Sequence, residues 1–294
     1  MIKAYGDYGL TFAIDSTHHN AAFLTSSSAM NDGRSGIITS IEWDQGSPAS
    51  TDTVTITVTI ADPLDTTAAI GVVGLVNVQG VPEGLRCVVN GVTQALVAGA
   101  RGELSAWWIP QTTGNSFTIT LKNTTTGSDH PLLTGATIGI GEIFVGRAIT
   151  LPSLVNGSQQ QSNDQVDPTA FQRASGAQLY QLMRKPYRQC SASLGPFTAK
   201  DCFGKSNSLI SSGGNPAGKI DVATLRDYIS TSRVIAVCDA PSAGDGAGTL
   251  TGGLRYDQTF MQPNWMLARP VAIGSIVRNM DPLYTWTPQY QEAT

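Results

Sequence analysis

Ten residues constrain this chain more than any others. From Thr51 to Ile60 threonine occupies every odd position through 59, and Val54, Ile56, Val58 and Ile60 fall between. Side chains on a strand alternate between two faces, so this period of two predicts a strand with one face on a core and a hydroxyl-bearing face toward water. Its β-branched residues also disfavour a helix. Neighbouring segments extend the pattern. Ala68 to Val78 is an almost unbroken apolar run, which predicts a strand covered on both faces. Within Leu85 to Leu96, Asn90-Gly91 sits between apolar runs, the strongest short-range hairpin signal. Ala106 to Pro110, Ser116 to Lys122 and Thr137 to Leu151 supply further strands. This many short strands at hairpin spacing predict a β-sandwich or jelly roll over residues from about 30 to 152, within a first domain of residues 1–152.

Composition agrees. The 294 residues suffice for two domains or one large β domain. Charged residues make up only 14%, against roughly 25% in ordinary soluble domains. The deficit is filled by 25 Ser and 32 Thr, which with 31 Gly and 15 Pro describe short strands and many turns. A net charge of -4 leaves no excess of cations to neutralise phosphates, which disfavours nucleic acid and anionic membranes as principal partners, and neither is expected. The first fifteen residues hold no continuous apolar stretch and no later run approaches a membrane span, so the chain is expected to be soluble and made in a cytoplasm. Cys87, Cys190, Cys202 and Cys238 show no CxxC spacing and read as reduced, buried thiols.

Beyond Pro152 the composition changes. Residues 153–176 carry five glutamines and scattered apolar residues, which predicts a linker or extended arm with little regular structure. Residues 177–294 are expected to form a smaller α+β domain: a strand near Gln178 to Arg188, a short helix capped by Asp221, a strand from Arg233 to Asp239, and strands near Thr249 to Tyr256, Met266 to Val277 and Tyr284 to Tyr290.

Three segments carry a resemblance: Phe23 to Trp43 (FLTSSSAMNDGRSGIITSIEW), Ala68 to Gly91 (AAIGVVGLVNVQGVPEGLRCVVNG) and Ile138 to Pro152 (IGIGEIFVGRAITLP). In this order they resemble the galactose-binding-like jelly rolls of bacteriophage minor tail and tail-tip proteins. The resemblance implies a solvent-exposed turn at Asn31-Asp32-Gly33-Arg34 and a last sandwich strand ending at Gly146-Arg147. It also implies a non-enzymatic virion component of the tail tip or baseplate, made in the bacterial host cytoplasm, whose partners are copies of itself and other tail proteins. The usual Trp after the Asp-Gly-Arg turn is absent from Ser35 to Thr39. The alternative reading is a carbohydrate-binding module that recognises a host-surface glycan.

No catalytic, cofactor or metal residue is assigned. Gly213 to Lys219 fits GxxxxGK, but Ile220 stands where a phosphate cradle needs Ser or Thr for Mg²⁺, and Pro216 removes an N–H donor, so a flexible loop is expected. His18 and His19 would point apart on a strand, and His130 precedes Pro131 in a turn, so the three lack the spacing of metal ligands. No GxSxG elbow is present around Gly274-Ser275. Glu42 and Asp44 flank Trp43 and read as a solvated edge, and Asp239 and Asp245 lack the alternating oxygens of a calcium loop. Asn123-Thr-Thr and Asn156-Gly-Ser match the glycosylation sequon, which carries no meaning in a cytoplasmic product. That leaves Trp107 and Trp108. Adjacent strand residues face opposite sides, so if one fills the core the other needs a cover, which could be the 153–176 arm, a neighbouring subunit or a carbohydrate. Both are therefore candidate interface residues.

Overall fold

A computed structural model describes residues 2–5, 10–14, 22–42, 53–60, 69–70, 72–80, 85–98, 103–108, 112–113, 115–123, 137–150, 161–166, 170–173, 179–182, 186–203, 210–212, 215–223, 226–227, 234–238, 248–249, 255–256, 264–280 and 283–293. They are mainly β, and every strand pair is antiparallel. The Thr/Val repeat forms the strand Thr53–Ile60, with Val54, Ile56 and Val58 at most 1% exposed, as its alternation requires. It lies in a five-stranded sheet between Leu10–Ile14 and Ser116–Asn123, followed by Leu85–Val89 and Val92–Ala95. The last two are joined through Asn90 (φ 48°) and Gly91 (φ 76°), the left-handed pair that a two-residue hairpin turn demands.

A second sheet runs the length of the molecule. Its strands follow the order Val97–Ala98, Leu104–Trp108, Val72–Gln79, Thr137–Thr150, Ile2–Tyr5, Ile235–Cys238, Trp265–Ala272, Gln289–Glu292, Tyr187–Ala192 and Gln161–Val166. Ile2–Tyr5 is the seam: it pairs with residues 147–150 on one side and 235–238 on the other, so one ladder crosses from the first half of the chain to the second. Sequence reasoning treated residues 1–152 and 177–294 as separately built and missed this strand.

Three cores follow from the two faces of the long sheet. Val73, Leu75, Ile140 and Trp108 pack onto the five-stranded sheet, forming a β-sandwich-like first half. In the second half Ile235, Val237, Met266 and Ala268 point to Phe197, Cys202 and Trp286, under a small sheet of Leu194–Thr198, Leu283–Trp286 and Ile276–Met280. The alternate residues Val72, Val76, Trp107 and Phe144 meet Val234, Ala236, Trp265 and Leu267 across the opposite, concave face. Four strands separate Trp107 from Trp265 in the sheet, which at about 4.8 Å per strand would hold them about 24 Å apart if the sheet were flat. Their rings instead stack at 5.3 Å and 16°, so the sheet rolls through and closes on this face. Twist of one hand accumulated over many strands makes such a roll natural.

Several expected elements differ. The 153–176 segment holds two strands, Gln161–Val166 paired with Tyr187–Ala192, and Ala170–Arg173 paired with Leu179–Leu182. Its polar composition suits an edge strand as well as an arm, because backbone pairing asks little of the side chains. The expected strand at 178–188 is accordingly split. The GxxxxGK stretch is a hairpin, Ile210–Ser212 against Asn215–Ile220, where a loop was expected. After Asp221, residues 222–223 and 226–227 are helical. A helix not foreseen, Ala199–Phe203, starts at a reciprocal cap: Asp201 accepts from the Thr198 N–H (3.0 Å) and hydroxyl (2.6 Å), and the Asp201 N–H donates to Thr198 Oγ1 (3.2 Å). Among the described residues no helix is long and apolar enough to cross a membrane.

Candidate functional site

The long strand Thr137–Thr150 carries one acid in its apolar stretch, Glu142, and that residue is 1% exposed. What places it is a change of phase. Before it Ile138 and Ile140 face the sandwich core, and after it Ile143 and Val145 do, so the alternation slips by one residue between them. The partner strand slips at the same level, from Val73 and Leu75 to Val78, across Asn77 at φ 54°. Gly141 stands at the slip, with no room for a side chain: a Cβ there would lie 2.2 Å from the Ser35 carbonyl oxygen. The segment 31–38 therefore lies directly on the strand, fixed by Asn77 Nδ2 donating to the Ser35 carbonyl at 2.7 Å.

Over Glu142 sits the turn Asn31-Asp32-Gly33-Arg34. The Gly33 N–H donates to Glu142 Oε2 at 3.2 Å, and the Gly33 carbonyl accepts from Arg269 Nη2. Both polar groups of one peptide residue are thus held by charged side chains, one from each half of the chain. Glu142 lies two residues before Phe144 and Arg269 two residues after Leu267, each on the same strand face, so this clamp closes one end of the concave core. Asp32 accepts from the Arg34 N–H at 2.8 Å and pairs with its guanidinium at 2.7 Å. The turn expected to be solvent-exposed is so only in part: Arg34 points outward, and Gly33 is buried.

Burial pushes the Glu142 carboxyl up to about 8, with the Asp32 charge adding to the shift. The Gly33 N–H, the Arg269 guanidinium and the Arg34 N–H act in the opposite sense and do not cancel it. Beyond Arg269 lies a shallow cleft of about 180 Å³ lined by Arg269, Pro270, Val271, Gln291, Glu292 and Ala293. Glu292 is engaged there by Arg188, which donates to it from its backbone N–H (3.0 Å), Nη2 (3.0 Å) and Nε (3.3 Å) and to the Trp265 carbonyl at 2.7 Å. These charged groups are directed at one another and at backbone, an arrangement that fixes segments in place.

Trp108 lies in the sandwich core and its Nε1 donates to the Val92 carbonyl at 3.0 Å. Trp107 faces the other way, as strand geometry requires, and its cover is Trp265 with Phe144 at 6.2 Å, in place of the arm, subunit or carbohydrate that were expected. Each indole is 1% exposed within the single chain. The four cysteines are buried and none forms a disulfide. Burial raises the thiol of Cys87 to about 12 and that of Cys202 to about 11, the Asp201 and Asp221 charges adding to the latter. Glu42 is exposed at a strand end. His18, His19, His130, Trp43, Asp44, Asp239, Asp245 and Asn156 lie outside the described residues. Among the described residues no group of three or more His, Cys, Asp or Glu is placed to hold a metal ion.

Glu142, Arg269 and the Arg188–Glu292 pair escaped sequence reasoning. A signal for the first existed, since IGIGEIFV places a single acid between isoleucines with glycines at alternate positions. Nothing local marks Arg269, whose contact spans 236 residues. The chain matches no family model, no curated protein and no solved structure.

Proposed function

We propose that the protein is a non-enzymatic structural component of a bacteriophage tail, in the tail tip or baseplate, and that it works as a symmetric oligomer. The observation that carries this reading is the single hydrogen-bonded sheet that joins the two halves through Ile2–Tyr5. A load that separated the halves would have to break a ladder of backbone bonds along with side-chain contacts, which suits a building block better than a pair of domains that hinge over a substrate. The internal use of Glu142, Arg269, Arg188 and Glu292 to tie segments down points the same way. The finer fold reading, a galactose-binding-like jelly roll followed by an α+β domain, belongs to this proposal and rests on the three resembling segments.

With 14% charged residues, an interface between copies has few ion pairs to draw on and depends on shape, hydrogen bonds and apolar contact. Leu24, Ile37, Val92, Phe203, Val271 and Val277 supply apolar surface, each at least 39% exposed. The test is analytical ultracentrifugation and electron microscopy of the full chain at low salt and at 1 M salt, where screening falls to about 3 Å. Closed rings that survive 1 M salt are the expected result. A strict monomer at every concentration, or rings dissolved by salt alone, overturns the reading. Binding on a glycan array without self-association would favour the carbohydrate-recognition alternative, and turnover abolished by one point substitution would make the protein an enzyme.

A further inference from the structure

Independently of the assembly reading, we infer that the segment 31–38 is a proton-dependent latch between the two halves of the chain, closed while Glu142 carries its proton and weakened when it ionises. The geometry requires three things of Glu142 at once. It is buried beneath the segment, it accepts from the Gly33 N–H, and it lies in the field of the Asp32 carboxylate on the same turn. The groups that face it from every packed element are few. The turn contributes Asp32 and Arg34, which are paired with each other. The strand Val72–Gln79 contributes no titratable side chain. The strand Trp265–Ala272 contributes Arg269, and across its cleft Glu292 is already engaged by Arg188.

Arg269 would be the natural counter-ion for an ionised Glu142, but its Nη2 is committed to the Gly33 carbonyl. Ionisation under the closed segment therefore puts a buried negative charge beside Asp32 with one partly diverted cation as compensation, and opening the segment relieves both costs by admitting water. The shift of the carboxyl from its ordinary 4.5 to about 8 gives the sense and the range. A proton held more tightly in the closed state means that closure is strongest below pH 4.5. It weakens about tenfold per pH unit above that value and levels off once pH passes about 8.

The opening is readable at Arg34, whose side chain is 63% exposed and offers a trypsin site inside the latch. Cleavage after Arg34 in the native full chain is followed from pH 6.5 to 9 and divided by the rate for a free peptide of residues 30–38, which removes the protease's own pH profile. The expected result is a rise of about thirty-fold over this range in the natural protein, and less than about threefold in Glu142→Gln, which keeps an acceptor for Gly33 and cannot ionise. In Asp32→Asn, with its own matched peptide, the rise should finish at lower pH, because one of the two causes of the raised carboxyl is gone. An equal response in the natural protein and Glu142→Gln overturns the inference, and so does a flat response in the natural protein. Should Glu142→Gln fail to fold by circular dichroism, Asp32→Asn decides: an unchanged profile overturns the latch.

Discussion

Gly74 is directly opposite Trp107 in the pairing of Leu104–Trp108 with Val72–Gln79, and the indole lies across the space a side chain would fill. A Cβ on Gly74 would stand 2.2, 2.5 and 2.7 Å from three ring carbons of Trp107. Carbon atoms rest at roughly 3.5–4.0 Å, so Gly74→Ala demands that the ring retreat by more than about 1 Å. It has nowhere to go, being stacked on Trp265 at 5.3 Å and packed on Phe144 at 6.2 Å. Forcing extra atoms into a filled core costs about 1–3 kcal/mol, and losing the ring pair adds about 0.5–1.5 kcal/mol. The expected destabilisation is about 3 kcal/mol. Trp107→Ala alone should cost about 3–5 kcal/mol through the cavity it leaves. In that background Gly74→Ala should be harmless or slightly stabilising, since a strand glycine gives up roughly 0.5–1 kcal/mol to alanine in backbone entropy. The two changes should therefore be coupled by about 3–4 kcal/mol, far above the few tenths expected of independent sites. Urea unfolding of the four proteins, followed by far-ultraviolet circular dichroism and compared at constant slope, measures it. If Gly74→Ala costs less than about 0.5 kcal/mol, or costs the same with and without Trp107, the concave core is not packed as described.

Further outcomes are expected at the polar sites. Because Glu142 binds its proton more tightly folded than unfolded, its contribution is complete below pH 4.5 and declines to about pH 8, by at most about 5 kcal/mol. Urea midpoints of Glu142→Gln should accordingly exceed those of the natural protein at pH 9 and converge with them near pH 4.5. Arg188→Ala leaves Glu292 buried without its guanidinium and should cost about 3–5 kcal/mol, most of it recovered in Arg188→Met with Glu292→Leu, as denaturant melts will tell. Thr198→Ala removes one side of the reciprocal cap on Ala199–Phe203 and should cost about 1 kcal/mol by the same measurement. The four thiols should resist an aromatic disulfide reagent in the native state and react completely in denaturant, since burial keeps all four out of reach and raises the thiols of Cys87 and Cys202.

The first half of the chain was legible because its signals are local. Alternation fixed Thr53–Ile60, an apolar run fixed Val72–Gln79 as covered on both faces, and Asn90-Gly91 fixed the hairpin. Each is a statement about neighbours within ten residues, where period and turn chemistry act. What covers the second face of Val72–Gln79 is another matter. It is Trp265 and Leu267, nearly two hundred residues away, reached only because the sheet continues through Ile2–Tyr5. Ile2–Tyr5 is four residues long, too short for its alternation to announce it. Composition failed at Gln161–Val166 for a related reason: a strand at the end of a sheet is held by backbone bonds, so glutamine, serine and asparagine suffice.

The Glu142 clamp shows where such reading stops. Asn31-Asp32-Gly33-Arg34 stands out as a turn in the sequence, and turns are by default exposed, where their polar groups meet water. Here water is replaced by two side chains, and the substitution is possible only because Gly139 and Gly141 let the segment settle onto the strand and because the rolled sheet brings Arg269 to the same point. Each condition is invisible alone: glycine in a strand is ordinarily a weakness, and an acid in an apolar strand an error. Together they satisfy both polar groups of a buried peptide residue and leave one ionisable proton to decide how firmly the two halves are tied. Local rules are broken at Asn77, Gly141 and Glu142 within one patch, and that coincidence distinguishes a built feature from scattered imperfection.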